Sequence, residues 1–227
     1  MNKHKLEIYI KNKQQSQKEY LIFNRVPLFI KDKLISNFTI PELIKALENV
    51  LTPEFAQLVK TVIILKSNVF LKKQINAMYN SGNIYISNEQ DDLADAIDDV
   101  VHEYAHALEE NYKDYIYKDS LIKNEFLKKR KQLKTILKTY NYDTEEINFL
   151  ELNYNKKLDN YLLNVIGYEK FKNLTNYGLF LNPYAATSIR EYFATGFEEY
   201  ILGDVRELKR ISPDLYMKIK DLNKWKK

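Results

Sequence analysis

Short apolar runs and helical stripes take turns along this chain, and the changes of period mark its elements. Leu6 to Ile10 and Tyr20 to Phe23 are β-prone stretches separated by a polar Lys/Gln segment, which predicts two strands joined by a mobile loop. Pro41 opens one helical pattern. Thr52-Pro53-Glu54 opens a second, with Thr52 as N-cap and Pro53 at the first helical position. Thr61 to Leu65 reads as a buried strand, and Ile75 to Ser87 as a hairpin turning at Asn80-Ser81-Gly82-Asn83 with Ile84-Tyr85-Ile86 on its second arm. From about Asp91 to Tyr112 the spacing of Leu93, Ala96, Ile97, Val100 and Val101 predicts a helix packed on one face, capped by Ser87 or Asn88.

Residues 113 to 176 are rich in Lys, Tyr and Leu and read as two or three long amphipathic helices, with Asp143-x-x-Glu146 as a capping box between them. A further helix is expected from Ser188 to Leu202, stopped by Gly203, and a last one from Pro213 to about Trp225. With five Gly, five Pro and 45% hydrophobic residues in 227, the pattern fits an α+β protein with one sizeable core.

Composition then narrows the chemistry. There is no cysteine, so a metal would have to sit on His, Asp or Glu. The net charge of +4 is modest, and the basic runs Lys128-Lys129-Arg130-Lys131 and Lys224 to Lys227 read as solvated surface; no nucleic-acid reading module accompanies them. The basic start at Met1 to Lys5 lacks a following apolar h-region, and no apolar run reaches a membrane span. The expectation is a soluble chain, cytoplasmic as encoded or already trimmed, with no membrane partner.

Val101-His102-Glu103-Tyr104-Ala105-His106 contains H-E-x-x-H on the expected helix, which sets two imidazoles one turn apart on one face. They can grip one metal together, leaving Glu103 to hold a water and take its proton. His4, the remaining histidine, reads as a surface or satisfied core residue. A catalytic zinc needs a third protein ligand. Glu109 and Tyr112 stand where the extended histidine motif would have Gly and His, so the third ligand is expected to be a carboxylate. Glu109 and Glu110 lie one turn beyond and read as solvated helix surface. In Ser188-Ile189-Arg190-Glu191, Glu191 admits two readings from spacing alone, a capping-box glutamate or the third ligand from a second helix.

These stretches resemble the catalytic domain of the anthrax lethal factor family and its relatives, the Pro-Pro endopeptidases. The resemblance rests on Gly82-Asn83-Ile84-Tyr85-Ile86 before the helix, on His102-Glu103-x-x-His106-Ala107, and on Tyr184 ahead of Glu191-Tyr192-Phe193-Ala194. It covers roughly 60 to 112 and 182 to 222. It implies a zincin-like metallopeptidase domain: a small twisted sheet, an active-site helix, and a helical lower subdomain. It further implies Zn2+ as cofactor, a protein or peptide substrate, Glu191 as third ligand beside His102 and His106, and Tyr184 as hydrogen-bond donor to the oxyanion.

On that reading the chain is a zinc-dependent endopeptidase with Glu103 as general base. A substrate would lie extended along Ile84, Tyr85 and Ile86 at an exposed sheet edge. The chain departs from the family at Thr195, where the family commonly has an acid, so the zinc is expected to be buttressed differently. It departs again in the length between His106 and Glu191, which makes 113 to 176 an expected helical insertion in a single catalytic domain. The competing expectation is a non-catalytic binding module with a structural or vestigial zinc site and the insertion as its partner surface.

Overall fold

Alternating burial along short strands builds the sheet. The computed structural model describes residues 20–174 and 178–224; the strand expected at Leu6 to Ile10, His4 and the expected helix end at Trp225 lie outside them. The chain divides into two units, Met1–Tyr104 and Ala105–Lys227.

The first unit holds a mixed five-stranded sheet: β1 (Tyr20–Ile22), β2 (Val26–Ile30), β3 (Thr61–Leu65), β4 (Ala77–Asn80) and β5 (Asn83–Ser87), in the order β1-β2-β3-β5-β4. β2, β3 and β5 run parallel to one another, while β1 pairs antiparallel with β2 and β4 antiparallel with β5 at the two edges of the described sheet. The register lines up Leu28, Val62, Ile84 and Tyr79 in one row across the sheet, and all four are buried. An apolar row of this kind fixes register, because a slip of one residue would turn it to the other face.

β2 is not among the expected strands, and it carries a proline, Pro27, at its second position. Pro27 stands opposite Leu21 and ahead of the parallel ladder with β3, which begins at Leu28, so its missing N–H costs that ladder nothing. The β4–β5 hairpin turns at Ser81 (φ 52) and Gly82 (φ 88), the doubly left-handed turn that matches strand twist.

Helix α1 (Ile40–Val50) buries Ile40, Leu43 and Leu47, and at its start the Thr39 N–H donates to the Glu42 carboxylate at 2.7 Å. α2 (Pro53–Ala56) follows Thr52 as expected, and α3 (Asn68–Lys73) precedes β4. α4 (Leu93–Tyr117) then carries the H-E-x-x-H residues through the boundary between the units. Its first turn is held by Asp92, whose Oδ1 accepts from the Asp95 N–H at 3.0 Å, in place of the caps expected at Ser87 or Asn88. Ala96, Val100 and Val101 are fully buried, and non-helical backbone at Tyr112 marks a kink near where the pattern predicted the end.

The second unit is helical: α5 (Leu121–Thr139), α6 (Lys156–Asn160) running into a π-helical turn (Tyr161–Ile166), α7 (Tyr168–Leu174), a 3-10 turn (Tyr184–Ala186), α8 (Ile189–Leu202), α9 (Val205–Ile211) and α10 (Pro213–Lys224). The stretch read as two or three long helices therefore has one, α5, and shorter pieces. Asp143 does not cap a helix: its Oδ1 accepts from the Glu145 N–H at 3.0 Å in a local turn. Asn155 is the cap actually used, accepting from Lys157 and Leu158. α8 and α10 approach so closely that a Cβ at Gly196 would lie 2.3 Å from Leu215 Cδ2. Glu125 on α5 accepts from the Asp214 N–H at 2.9 Å and from the Tyr192 hydroxyl at 2.6 Å, so one carboxylate holds both the start of α10 and the residue after Glu191. Among the described residues no helix is long and apolar enough to cross a membrane.

Candidate metal centre

The buried stripe of α4 fixes the helix, and the residues between its packed positions carry the polar chemistry. In the first unit, Glu103 is 9% exposed, and its Oε2 accepts from the Tyr79 N–H at 2.5 Å. That bond ties the carboxylate to β4 and shows that Tyr79 turns its N–H away from β5, as alternate residues of an antiparallel strand do. One helical turn earlier, the Asp99 carboxyl is pushed up to about 7, chiefly by burial; a hydrogen bond from Gln90 opposes the shift and the nearby Glu103 charge adds to it.

In the second unit, His106 Nε2 stands 3.5 Å from Glu191 Oε2, with both side chains largely buried. Ser188 caps α8 by accepting from the Glu191 N–H at 3.1 Å, while the Glu191 carboxylate is directed at His106. The Ser188 half of the expected capping box is present, while the Glu191 carboxylate, which that reading would have used on a backbone N–H, lies against an imidazole. His102, one turn before His106 on the same helix, completes a group whose candidate ligand atoms all lie within 4.8 Å of one another. Zinc bonds of about 2.0–2.2 Å at tetrahedral angles place ligand atoms roughly 3.4 Å apart. The His106–Glu191 separation already meets that spacing, and two imidazoles with one carboxylate are a donor set that zinc takes. No family model matches this chain, and no curated protein or solved structure does.

Around His106 the second unit adds partners that spacing did not suggest. Arg190 Nε donates to His106 Nδ1 at 3.1 Å and lies 3.4 Å from Glu109 Oε2. The Tyr117 hydroxyl donates to Glu109 Oε1 at 2.6 Å. Glu109, expected on the solvated surface, is 8% exposed; the α4 turn that carries it faces α8 residues, and Tyr117 and Arg190 satisfy it there. Glu110 is exposed, as expected. Thr195, at the family's acid position, is buried, and its hydroxyl has no hydrogen-bond partner among the described residues.

Tyr184 sits on the 3-10 turn just before α8 and is 37% exposed. Its turn is braced on both sides: Asn182 Oδ1 accepts from the Ala185 N–H at 2.8 Å, and the Thr187 hydroxyl donates to the Tyr184 carbonyl at 2.8 Å. Two basic residues expected on a solvated face hold this region from α5. Arg130 is fully buried and donates to the carbonyls of Phe149, Glu151 and Ala186. Lys129, also buried, donates to the carbonyls of Leu179 and Ile211, each at 2.6 Å. Burial pushes the Lys129 ammonium down to about 8 and the Arg130 guanidinium down to about 10.

The expected substrate edge needs correction. Ile84, Tyr85 and Ile86 lie on β5, which is hydrogen-bonded on one side to β3 and on the other to β4. Ile84 and Ile86 are buried. An interior strand has no unpaired ladder to offer, and among the described residues the edge on that side of the sheet is β4. The signal was present in the hairpin: an Asn-Ser-Gly-Asn turn lays a partner strand on β5.

Proposed function

We propose that this chain is a zinc-dependent endopeptidase with a zincin-like catalytic arrangement, similar to the anthrax lethal factor family. The observation that carries the reading is the convergence of His102, His106 and Glu191, whose ligand atoms lie within 4.8 Å of one another although Glu191 is remote in sequence. These three would hold the ion. A bound zinc supplies a Lewis acid that polarises a scissile carbonyl and lowers the pKa of water from about 15.7 to about 7.

The remaining steps belong to the protein's own groups. Glu103 accepts the proton of the attacking water as its oxygen bonds to the carbonyl carbon, and returns that proton to the amine as the C–N bond breaks. Its Oε2 is steadied by the Tyr79 N–H, which leaves proton transfer to the second oxygen. Tyr184, with its phenol partly exposed and its turn braced, donates to the developing oxyanion, a role that rests on the resemblance. An extended substrate segment pairs with the outer edge of β4, the edge strand on that side of the sheet among the described residues. Within the expected insertion, the Leu152 carbonyl accepts from the Ile189 N–H at 2.8 Å, at the start of α8.

Cleavage of a diverse peptide library by zinc-loaded protein tests this, with Glu103→Gln as the control. The expected result is cleavage by the wild type and none by Glu103→Gln at equal zinc content. A Glu103→Gln variant that cleaves as fast as wild type, or a zinc-loaded wild type that cuts no peptide, would overturn it.

A further inference from the structure

A histidine that binds zinc through Nε2 carries its proton on Nδ1, and that proton needs an acceptor; in metal sites this is commonly a carboxylate. The acid expected four residues after Glu191 is replaced by Thr195, whose short buried hydroxyl has no hydrogen-bond partner among the described residues and cannot be such an acceptor. A different carboxylate stands close by. Glu109 lies three residues after His106 on α4, where side chains of one helix face become neighbours. A single nitrogen, Arg190 Nε, is 3.1 Å from His106 Nδ1 and 3.4 Å from Glu109 Oε2.

We propose that Glu109 is the positioning carboxylate of His106, accepting a hydrogen bond from its Nδ1–H when Nε2 coordinates the metal, with Arg190 as the group that exchanges out of the way. The inference rests on the proposed metal centre and names a residue that neither the motif nor the resemblance assigns. In the arrangement described, Arg190 donates to Nδ1, so the neutral ring holds its own proton on Nε2, the atom facing Glu191 Oε2 at 3.5 Å. Coordination through Nε2 moves that one proton to Nδ1, with no change in the ring's charge. Nδ1 then becomes a donor, and the cationic Arg190 cannot serve it. Arg190 has room to leave, its side chain being 47% exposed, whereas Glu109 is held in place at 11%. Tyr117 keeps Glu109 oriented through its 2.6 Å hydrogen bond. Burial raises the Tyr117 phenol far above its ordinary range, so it stays a donor.

Zinc alone is the probe, with affinity measured by competition against a chelating dye for wild type, Glu109→Gln and Arg190→Gln. The metal-free melting temperature of each serves as the check on folding, and 15N-histidine NMR of the zinc-loaded protein reports the His106 ring. Glu109→Gln is expected to weaken zinc binding by about tenfold or more. Arg190→Gln is expected to bind at least as tightly as wild type, since it removes a competing donor and a positive charge. Loaded wild type should show a protonated, hydrogen-bonded Nδ1 on His106. A purely structural role would weaken both variants alike.

Unchanged affinity in Glu109→Gln, or an equal loss in Arg190→Gln, overturns the proposal while leaving the metal centre standing. A wild type that binds no zinc removes the metal centre itself. Should Glu109→Gln fail to fold, a loaded wild type without a hydrogen-bonded Nδ1 proton refutes the assignment by itself.

Discussion

Replacing Arg130 by Met, and separately by Lys, separates the shape of this buried cation from its charge. The guanidinium is fully buried and donates to three backbone carbonyls, those of Phe149, Glu151 and Ala186, with the Glu151 bond the longest at 3.4 Å. It also sits over the Phe126 ring, 5.2 Å from the centroid. Stranding a buried acceptor costs about 1–3 kcal/mol, so losing all three donors, the longest counted at the low end, costs roughly 5 kcal/mol. Against this, burial has lowered the group from 12.5 to about 10, a penalty of roughly 3 kcal/mol that Met does not carry.

Arg130→Met should therefore lose about 2 kcal/mol, or roughly 4–8 °C in melting temperature. Arg130→Lys keeps a buried charge but has no planar fork to reach three carbonyls, and should lose at least as much. Urea unfolding followed by far-UV circular dichroism measures both. The reasoning fails if the Lys variant lies within about 0.5 kcal/mol of wild type, because then charge without the fork would suffice.

Other consequences follow from the same buried polar groups. Lys129 has a folded pKa of about 8 against an ordinary 10.5, so between these values the unfolded chain holds more protons and stability rises with pH. Compared with Lys129→Met, wild type should gain up to roughly 3 kcal/mol between pH 8 and 10.5, and a flat difference in unfolding free energy across that window would refute it. For Glu103, Gln keeps an acceptor for the Tyr79 N–H and should leave stability within about 1 kcal/mol of wild type. Leu leaves that donor unsatisfied and should cost about 1–3 kcal/mol more in chemical denaturation, whereas equal stability of the two variants would show that the bond contributes little.

What the sequence disclosed and what it concealed divide along physical lines. Strand β3, the β4–β5 hairpin, the packed stripe of α4 and the Ser188 start of α8 were legible, because local periodicity and capping chemistry determine them. The two histidines were legible for the same reason, since a helix alone sets their spacing. β2 was not among the expected strands, and it carries Pro27, whose tolerance depends on where a neighbouring ladder begins. The burial of Glu109, Lys129 and Arg130 was concealed more deeply. Each is a charged residue in a helix pattern that also fits a solvated face, and each is satisfied by groups distant in sequence: Arg190 for Glu109, and the carbonyls of Leu179, Ile211, Phe149 and Ala186 for the two cations. No local pattern encodes such partners. The pairing of β5 on both sides was readable from the hairpin turn, and the expectation of a free edge there overlooked it.

The central claim is that His102, His106 and Glu191 form one zinc site. Zinc stoichiometry by elemental analysis on purified wild type, Glu191→Ala and Glu103→Gln tests it most directly. The account predicts one zinc per chain in wild type and in Glu103→Gln, and much less in Glu191→Ala. Full zinc retention by Glu191→Ala, or a wild type that takes up none, would contradict it.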